Sequence, residues 1–200
     1  MKIIVIGSTG TIGRAVVEAL TAAQHEVVGV HRQSAPGVDI TDVTSIAGLF
    51  RQVGAIDHVV SCAGGGAWKP LAQLTDDDFA MSLGYKLMGQ VNVIRHALGQ
   101  VRDGGSITVT SGILAQHPMQ GSAAVSMLNA GLEGFVRAAA LEAPRGVRVN
   151  VVSPPWVTET LAAMKMETSS GLPAAVVAKA YLGSIAGVQR GATIDPRATA

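Results

Sequence analysis

Short apolar runs alternate along the chain with longer segments in which apolar residues recur every three or four positions. The runs predict buried strands, and the recurring pattern predicts amphipathic helices. The predicted strands are Lys2–Ile6, Glu26–His31, Asp57–Ser61, Ser106–Thr110, Val147–Val152 and Ala192–Asp195, with Val38–Ile40 as a further short candidate. The predicted helices are Gly10–Ala22, Thr41–Val53, Thr75–Leu98, Ser122–Glu142, Thr158–Met166 and Pro173–Ile185.

This alternation predicts an α/β fold, a Rossmann-type doubly wound parallel sheet of about seven strands with helices on both faces. The strands are apolar throughout, as expected when both faces of a sheet are covered. Residues 1–200 show no linker or repeat, which predicts a single domain. Ligands of such sheets bind beyond the carboxyl ends of the strands, so the segments after each strand are the candidate site.

Composition narrows the range of partners. Charged residues make up 14% of the chain, the net charge is +1, and no basic cluster occurs, which argues against a nucleic acid or an anionic membrane as partner. No apolar run approaches the roughly 18–20 residues of a membrane span. Cys62 is the single cysteine, so no intrachain disulfide can form and a cytoplasmic location is expected.

A glycine-rich turn, GSTGTIG, lies between the first predicted strand and the first predicted helix. Three glycines spaced three apart allow a tight turn and a close approach of the backbone to a pyrophosphate, which the helix N-terminus also attracts. The alternative is a turn that only packs the helix against the sheet. The motif in this position predicts a dinucleotide site formed by Gly7, Ser8, Thr9, Gly10, Thr11, Ile12 and Gly13.

The end of the second strand predicts which dinucleotide binds. An acid at this point binds the ribose hydroxyl of NAD, whereas a nearby arginine accommodates the 2′-phosphate of NADP. No acid lies between Val27 and Val38, and His31, Arg32 and Ser34 offer a cation and a hydroxyl. NADP(H) is therefore the expected cofactor. The alternative is that Arg32 is a solvated surface residue.

Four segments together resemble the short-chain dehydrogenase/reductase family. Members carry a glycine-rich turn, an Asp-Val-like pair beside the adenine, an Asn-Asn-Ala-Gly turn, and a Pro-Gly-x-Val-x-Thr segment that contacts the nicotinamide amide. The matching segments here are GSTGTIG, Asp39-Ile40, Ser61-Cys62-Ala63-Gly64 and Pro154-Pro155-Trp156-Val157-Thr158. The resemblance implies cofactor contacts from Asp39, Ile40, Cys62, Ala63, Gly64, Pro154, Val157 and Thr158. It also implies a homodimer or homotetramer formed through the two long helices.

The chain departs from the family at the catalytic positions. Members place a serine after a strand, then a tyrosine and a lysine four residues apart on the next helix. Ser111 matches the serine. Counting forward from Ser111 and backward from the family-like run NAGLEGFVRAAALE, the tyrosine is replaced by Val125 and the lysine by Asn129.

A linked departure lies on the preceding long helix. Members have an asparagine before a Leu-x-Gly there, and this chain has Lys86. Lysine and asparagine are thus exchanged between two facing helices. We expect Lys86 and Asn129 to meet on the site floor beside Ser111, and Lys86 to donate the proton with a depressed pKa. The alternative is a surface lysine and an ordinary helix asparagine.

Two functions follow from this pattern. The first is an NADP(H)-dependent reductase or dehydrogenase that acts on a small carbonyl or alcohol substrate. The second is a catalytically silent dinucleotide-binding sensor or partner-binding protein, which the loss of the tyrosine favours. Trp68 and Trp156 are candidates for a pocket wall or for plain packing, His117 for a substrate loop or a solvated position, and Tyr85 for packing in the core or an interface.

Overall fold

A parallel sheet forms the centre of the protein in the computed structural model, which describes residues 1–199. Across that range the sheet has six strands in the order β2-β1-β3-β4-β5-β6, and all neighbours are parallel. The strands are β1 Lys2–Ile6, β2 Glu26–Val30, β3 Ile56–Ser61, β4 Val101–Thr110, β5 Arg148–Val152 and β6 Thr193–Ile194. The carboxyl ends of all six strands therefore lie at one edge of the sheet.

Helices cover both faces of this sheet. They are α1 Thr11–Ala22, α2 Val43–Val53, α3 Asp76–Ser82, α4 Gly89–Ala97, α5 Ala123–Glu142, α6 Thr158–Ala163 and α7 Ala174–Ala186. Alternate residues of β1 enter two separate cores, Ile3 and Val5 beside α1 and α7, and Ile4 and Ile6 beside α2, α4 and α5. This arrangement confirms the predicted Rossmann-type doubly wound sheet. Within residues 1–199, no helix combines the length and the apolar character that a membrane span requires.

The predicted short strand Val38–Ile40 does not form. The Val38 N–H donates to the His31 carbonyl, but the Asp39 N–H donates to the Ser45 hydroxyl, so no ladder of backbone hydrogen bonds develops. Val38 and Ile40 are nevertheless buried, which explains their apolar character. The fourth strand begins at Val101, five residues before the predicted start, and its register with β3 shifts between the pairs Ile56–Val101 and His58–Ser106.

The long predicted helix Thr75–Leu98 is interrupted. It begins as expected, with Thr75 and Asp78 forming a reciprocal capping box. Between α3 and α4, however, residues Leu83–Met88 form a π-helical segment. Such segments are rare and often occur at functional sites. This segment carries Lys86 toward the carboxyl edge of the sheet.

Candidate functional site

Two cavities lie side by side beyond the carboxyl ends of the strands. The first has a volume of about 420 Å³ and is lined by residues that follow β1, β2 and β3; we call it the cofactor cavity because the sequence predicts a dinucleotide there. The second has a volume of about 390 Å³ and is lined by residues that follow β3, β4 and β5 and by the start of α5; we call it the substrate cavity because the predicted catalytic residues line it. Gly64 lines both cavities, so they are two parts of one crevice.

The glycine turn fits a pyrophosphate. Gly7 has a φ of +82°, and a Cβ there would lie 2.9 Å from the Ala63 nitrogen. A Cβ on Gly13 would clash with the Gly7 carbonyl oxygen. No side chain among residues 1–199 caps the N-terminus of α1, and Thr9, Gly10 and Thr11 are exposed there. Free N–H groups at a helix N-terminus make an anion site, so the turn and helix suit a phosphate group.

Arg32 lines the end of the cofactor cavity that lies beyond β2. Its guanidinium carbon lies 5.1 Å from the centre of the Tyr85 ring, and its Nε lies 3.3 Å from the Asp39 carboxylate. Hydrogen bonds from the Thr41 N–H and hydroxyl, aided by Arg32, hold the pKa of Asp39 below its usual value. His31, Arg32 and Tyr85 all line the cavity. Arg32 therefore places a cation at the end of this cavity beyond β2, and Tyr85 lines the cavity as well as packing against the core.

Ser34 does not share this role. Its hydroxyl accepts a hydrogen bond from the His31 N–H, and its single proton is within reach of the carbonyl oxygens of Pro36 at 2.7 Å and His31 at 2.9 Å. These bonds close a turn, and Ser34 is not among the residues that line the cavity. The side chain therefore shapes the loop that presents Arg32.

The loop after β3 packs closely against the π-helical segment. Gly64 has a φ of +118°, and a Cβ there would lie 3.0 Å from the Lys86 Cα. Cys62, Ala63 and Gly64 line the cofactor cavity together with Ile40. Burial raises the pKa of the Cys62 thiol to about 12, so this thiol is neutral and unreactive at ordinary pH.

The floor of the substrate cavity brings Lys86, Ser111 and Asn129 together with Val125. The Lys86 Nζ donates a hydrogen bond to the Ser111 carbonyl oxygen at 3.1 Å. Burial lowers the pKa of Lys86 to about 8, because the ammonium loses hydration in this apolar surrounding. The sequence predicted this group of residues, although they come from three different elements.

The Ser111 hydroxyl points away from that group. Ser111 is 3% exposed, and its hydroxyl donates to the Glu133 carboxylate at 2.8 Å. Glu133 also accepts a hydrogen bond from the Gln116 amide. The next residue, Gly112, packs against Asn129 instead, because a Cβ on Gly112 would lie 3.0 Å from the Asn129 amide nitrogen. Ser111 therefore presents its carbonyl oxygen, rather than its hydroxyl, to Lys86.

Sequence reasoning missed Glu133. A signal existed, because Glu133 lies four residues after Asn129 and therefore on the same buried face of α5. An acid on the apolar face of a helix requires a polar partner. Ser111 and Gln116 provide that partner here.

Asn129 carries an unsatisfied acceptor. The residue is 2% exposed, and its side-chain oxygen accepts no hydrogen bond from residues 1–199. A buried acceptor without a donor costs about 1–3 kcal/mol. A ligand hydroxyl would supply the donor, as the ribose of a dinucleotide would. This acceptor and the glycine turn both fit a bound nicotinamide dinucleotide.

Two tryptophans stand over the substrate cavity. The rings of Trp68 and Trp156 lie 5.6 Å apart at an interplanar angle of 60°. Pro154 and Val157 line the same cavity. Thr158 does not line it, and a Cβ on Gly171 would lie within 3 Å of the Thr158 Cα, Oγ1 and N.

The remaining predicted residues lie beside the cavities or elsewhere. Ile12 lines the substrate cavity, whereas Ser8, Thr11, Gly13 and Asp39 line neither cavity. His117 is exposed in a separate small cavity near Asp195 and Arg197, so the expected substrate loop does not bring it to the site.

Comparison with known proteins supports the same fold and ligand class. A family model described as enoyl-(acyl carrier protein) reductase matches residues 14–193. Hydroxynaphthalene reductase arp2 of Aspergillus fumigatus is 31% identical over 156 residues, which cover 76% of this chain and 55% of that protein. The chain spans about half the length of the curated relatives that it matches.

Two solved structures superpose over nearly the whole chain. The protein lin1944 of Listeria innocua is 37% identical, with a TM-score of 0.93 and 98% of each chain covered. A small-chain dehydrogenase in complex with NADPH is 28% identical, with a TM-score of 0.88, covering 98% of this chain and 95% of that one.

Proposed function

The chain belongs to the short-chain dehydrogenase/reductase family, and on that premise we propose that it is an NADP(H)-dependent oxidoreductase in which Lys86 supplies the proton. It would reduce a small carbonyl compound or oxidise the corresponding alcohol. The single observation that carries this proposal is the Lys86 amino group on the floor of the substrate cavity, with its pKa lowered to about 8.

Arg32 supports NADP(H) as the cofactor. Its guanidinium is exposed, lines the cofactor cavity and is oriented by Asp39 and Tyr85. A guanidinium binds a phosphate strongly through charge-assisted hydrogen bonds. The NADPH complex of the 28% identical dehydrogenase is consistent with this choice.

Lys86 would act as the general acid. When bound, NADPH supplies a hydride, which brings two electrons to the carbonyl carbon while the C=O π bond breaks. The oxygen then takes a proton from the Lys86 ammonium, and the neutral amine regains a proton from solvent. An acid with a pKa near the working pH suits this transfer. In the oxidising direction, the neutral amine would accept the alcohol proton.

The neighbouring groups would orient these partners. The Ser111 carbonyl oxygen holds the Lys86 Nζ at 3.1 Å, which fixes the amino group at the cavity floor. Asn129 would offer its unsatisfied oxygen to a ribose hydroxyl, a task that does not require charge. Gln90 supports the floor from below, because its amide bonds both the N–H and the carbonyl of Thr110 at 2.9 and 2.8 Å.

A homodimer or homotetramer is part of the proposal. Apolar side chains remain exposed on the two long helical elements, at Met81, Leu83, Met88, Met127 and Leu141. These side chains lie on the elements that would form the interface, and burying them against a second copy would remove apolar surface from water.

One observation favours the silent sensor as a second candidate. Val125 is apolar and lines the cavity where the family's tyrosine would stand, and the Ser111 hydroxyl is bonded to Glu133. A protein that binds a dinucleotide without turnover needs neither hydroxyl. In this case Lys86 would have no chemical role.

Titration and turnover test the proposal together. NADPH and NADH would be titrated into the protein by fluorescence, and a panel of aldehydes and ketones screened for NADPH oxidation. We expect tighter NADPH binding, and a roughly tenfold to hundredfold loss of NADPH affinity in Arg32→Ala with little change for NADH. The matched control is Arg51→Ala, an exposed arginine on α2 that lines neither cavity. NADPH binding without oxidation of the cofactor by any member of the panel would favour the sensor.

A further inference from the structure

We infer that Trp68 and Trp156 form a substrate wall that selects uncharged, apolar carbonyl compounds. This inference rests on the proposed function, since it names the substrate class of the same site. Both indoles line the substrate cavity and contact each other at its rim.

The chemistry of the substrate cavity is divided between floor and walls. Polar groups gather at the floor, where the Lys86 amino group and the Asn129 amide lie. The rest of the lining is mostly aliphatic, proline and indole side chains, among them Ile113, Val125 and Trp156, and Thr160 is a polar exception. A ligand would therefore place one oxygen at the floor and an apolar body between the walls.

The charges of the residues that line the cavity also favour uncharged substrates. Among the described residues that line the substrate cavity, Lys86 is the sole charged side chain, and it is committed to the floor. A substrate carboxylate held between the apolar walls would lose its hydration without gaining a charged partner there, which is unfavourable. The cavity should therefore disfavour keto acids that carry their charge away from the reacting carbonyl.

The tryptophan wall is held in position before a substrate arrives. Trp68 remains 41% exposed, so an apolar surface is available at the mouth of the cavity. The Lys69 N–H donates to the Gly121 carbonyl oxygen at 3.2 Å, which ties the loop after β3 to the segment before α5. Gly121 also leaves room for the indole, because a Cβ there would lie 3.0 Å from the Trp68 Nε1. A preorganised wall loses little conformational entropy on binding.

Tryptophan fluorescence tests this inference directly, because the chain contains two tryptophans and both belong to the wall. The NADP⁺ complex would be titrated with 1-tetralone, an uncharged bicyclic ketone, and with a tetralone that carries a carboxylate on its aromatic ring. We expect a saturable change in emission with 1-tetralone, and binding of the carboxylate at least about tenfold weaker. Equal binding of the two ketones, or no emission change with 1-tetralone, would overturn the inference.

Variants separate the wall from the rest of the site. Trp68→Ala should raise KM for 1-tetralone at least about tenfold, lower kcat less, and leave NADPH affinity within about twofold. Leu71→Ala is the control, since Leu71 lies close by in the chain, is 70% exposed and does not line the cavity. Unchanged KM in Trp68→Ala would contradict the inference.

The proposed reduction and the proposed tryptophan wall would be contradicted by different results. Emission changes with 1-tetralone but no oxidation of NADPH would support the wall and contradict the proposed reduction. Turnover with equal kcat/KM for the neutral and the charged tetralone would support the reduction and contradict the wall.

Discussion

The Lys86 side chain carries a positive charge and is also partly removed from water, and these two properties oppose each other in most proteins. The side chain is partly buried at the cavity floor, where the Nζ donates to one backbone carbonyl, and the loss of hydration there lowers its pKa to about 8. Placing a charge in such surroundings costs stability. Lys86 thus has a shifted pKa, lowers the stability of the fold and lies at the cavity where the reaction would occur. These properties are typical of a functional acid.

The cost at Lys86 should appear in the pH dependence of stability. The pKa is about 8 in the folded protein and 10.5 ordinarily, so the folded state releases this proton first. Below pH 8 the penalty is complete, and stability should rise between pH 8 and 10.5 as the unfolded state keeps more protons. At about 1.4 kcal/mol per pKa unit, Lys86→Met should be more stable than wild type by up to about 3 kcal/mol at pH 7. At pH 10 the gain should fall below about 1 kcal/mol.

Urea unfolding at pH 7 and pH 10 measures this difference. Lys179→Met is the control, because Lys179 is an exposed lysine on α7. A Lys86→Met variant that is less stable than wild type at pH 7 would show that the ammonium is not penalised by burial.

At the residue scale, the sequence predicted which residues lie at the site better than it predicted which way their side chains point. Counting along the family pattern placed Lys86, Ser111 and Asn129 at one site, and the structure brings them together. The buried position of Glu133 on α5, one turn after Asn129, could be predicted from the sequence, but its bond to the Ser111 hydroxyl could not, so the sequence did not show that Ser111 presents its carbonyl oxygen. Spacing along a helix predicts the face on which a residue lies, and it does not predict which residue of another element that side chain bonds.

At the element scale, the π-helical segment Leu83–Met88 is the feature that positions Lys86. The sequence predicted one continuous helix because apolar spacing does not reveal a single widened turn. The segment lies against the loop after β3, and Gly64 permits that close approach. The neighbouring Gly65 has no atom within 4 Å of where a Cβ would be.

These two adjacent glycines give a matched test of that packing. Gly64→Ala should destabilise the fold by about 1–3 kcal/mol, because alanine is strained at φ +118° and its Cβ would press on Lys86. Gly65→Ala should change the free energy of unfolding by less than about 0.5 kcal/mol. Thermal and urea unfolding of both variants provide the measurement. Equal stability of the two variants would mean that the contact with Lys86 does not constrain the loop.

At the scale of the whole molecule, the fold was the most predictable property. Alternating strand and helix patterns, with strands apolar on both faces, specify a parallel sheet covered by helices. The candidate strand Val38–Ile40 failed because buried apolar residues also occur in loops that pack onto a core. Apolar residues indicate that a segment is buried, but a buried segment is not always a strand.

The proposed homodimer or homotetramer is a property of the whole molecule. Light scattering during size-exclusion chromatography should give two or four times the monomer mass. Met127→Glu, on the exposed side of α5, should shift the protein toward monomer because the interface would then bury an unpaired charge. Val188→Glu, after α7, is the control and should not alter the mass. A monomeric wild-type protein would contradict an interface through the long helices.

The central claim is that Lys86 delivers the proton, and the pH dependence of hydride transfer tests it most directly. With saturating NADPH and a substrate from the panel, the wild-type rate should fall above an apparent pKa near 8, as the ammonium loses its proton. Lys86→Met should be slower by roughly 10²–10⁴-fold and should lose that pH dependence. A Lys86→Met variant that retains the wild-type rate and the wild-type pH profile would contradict the account.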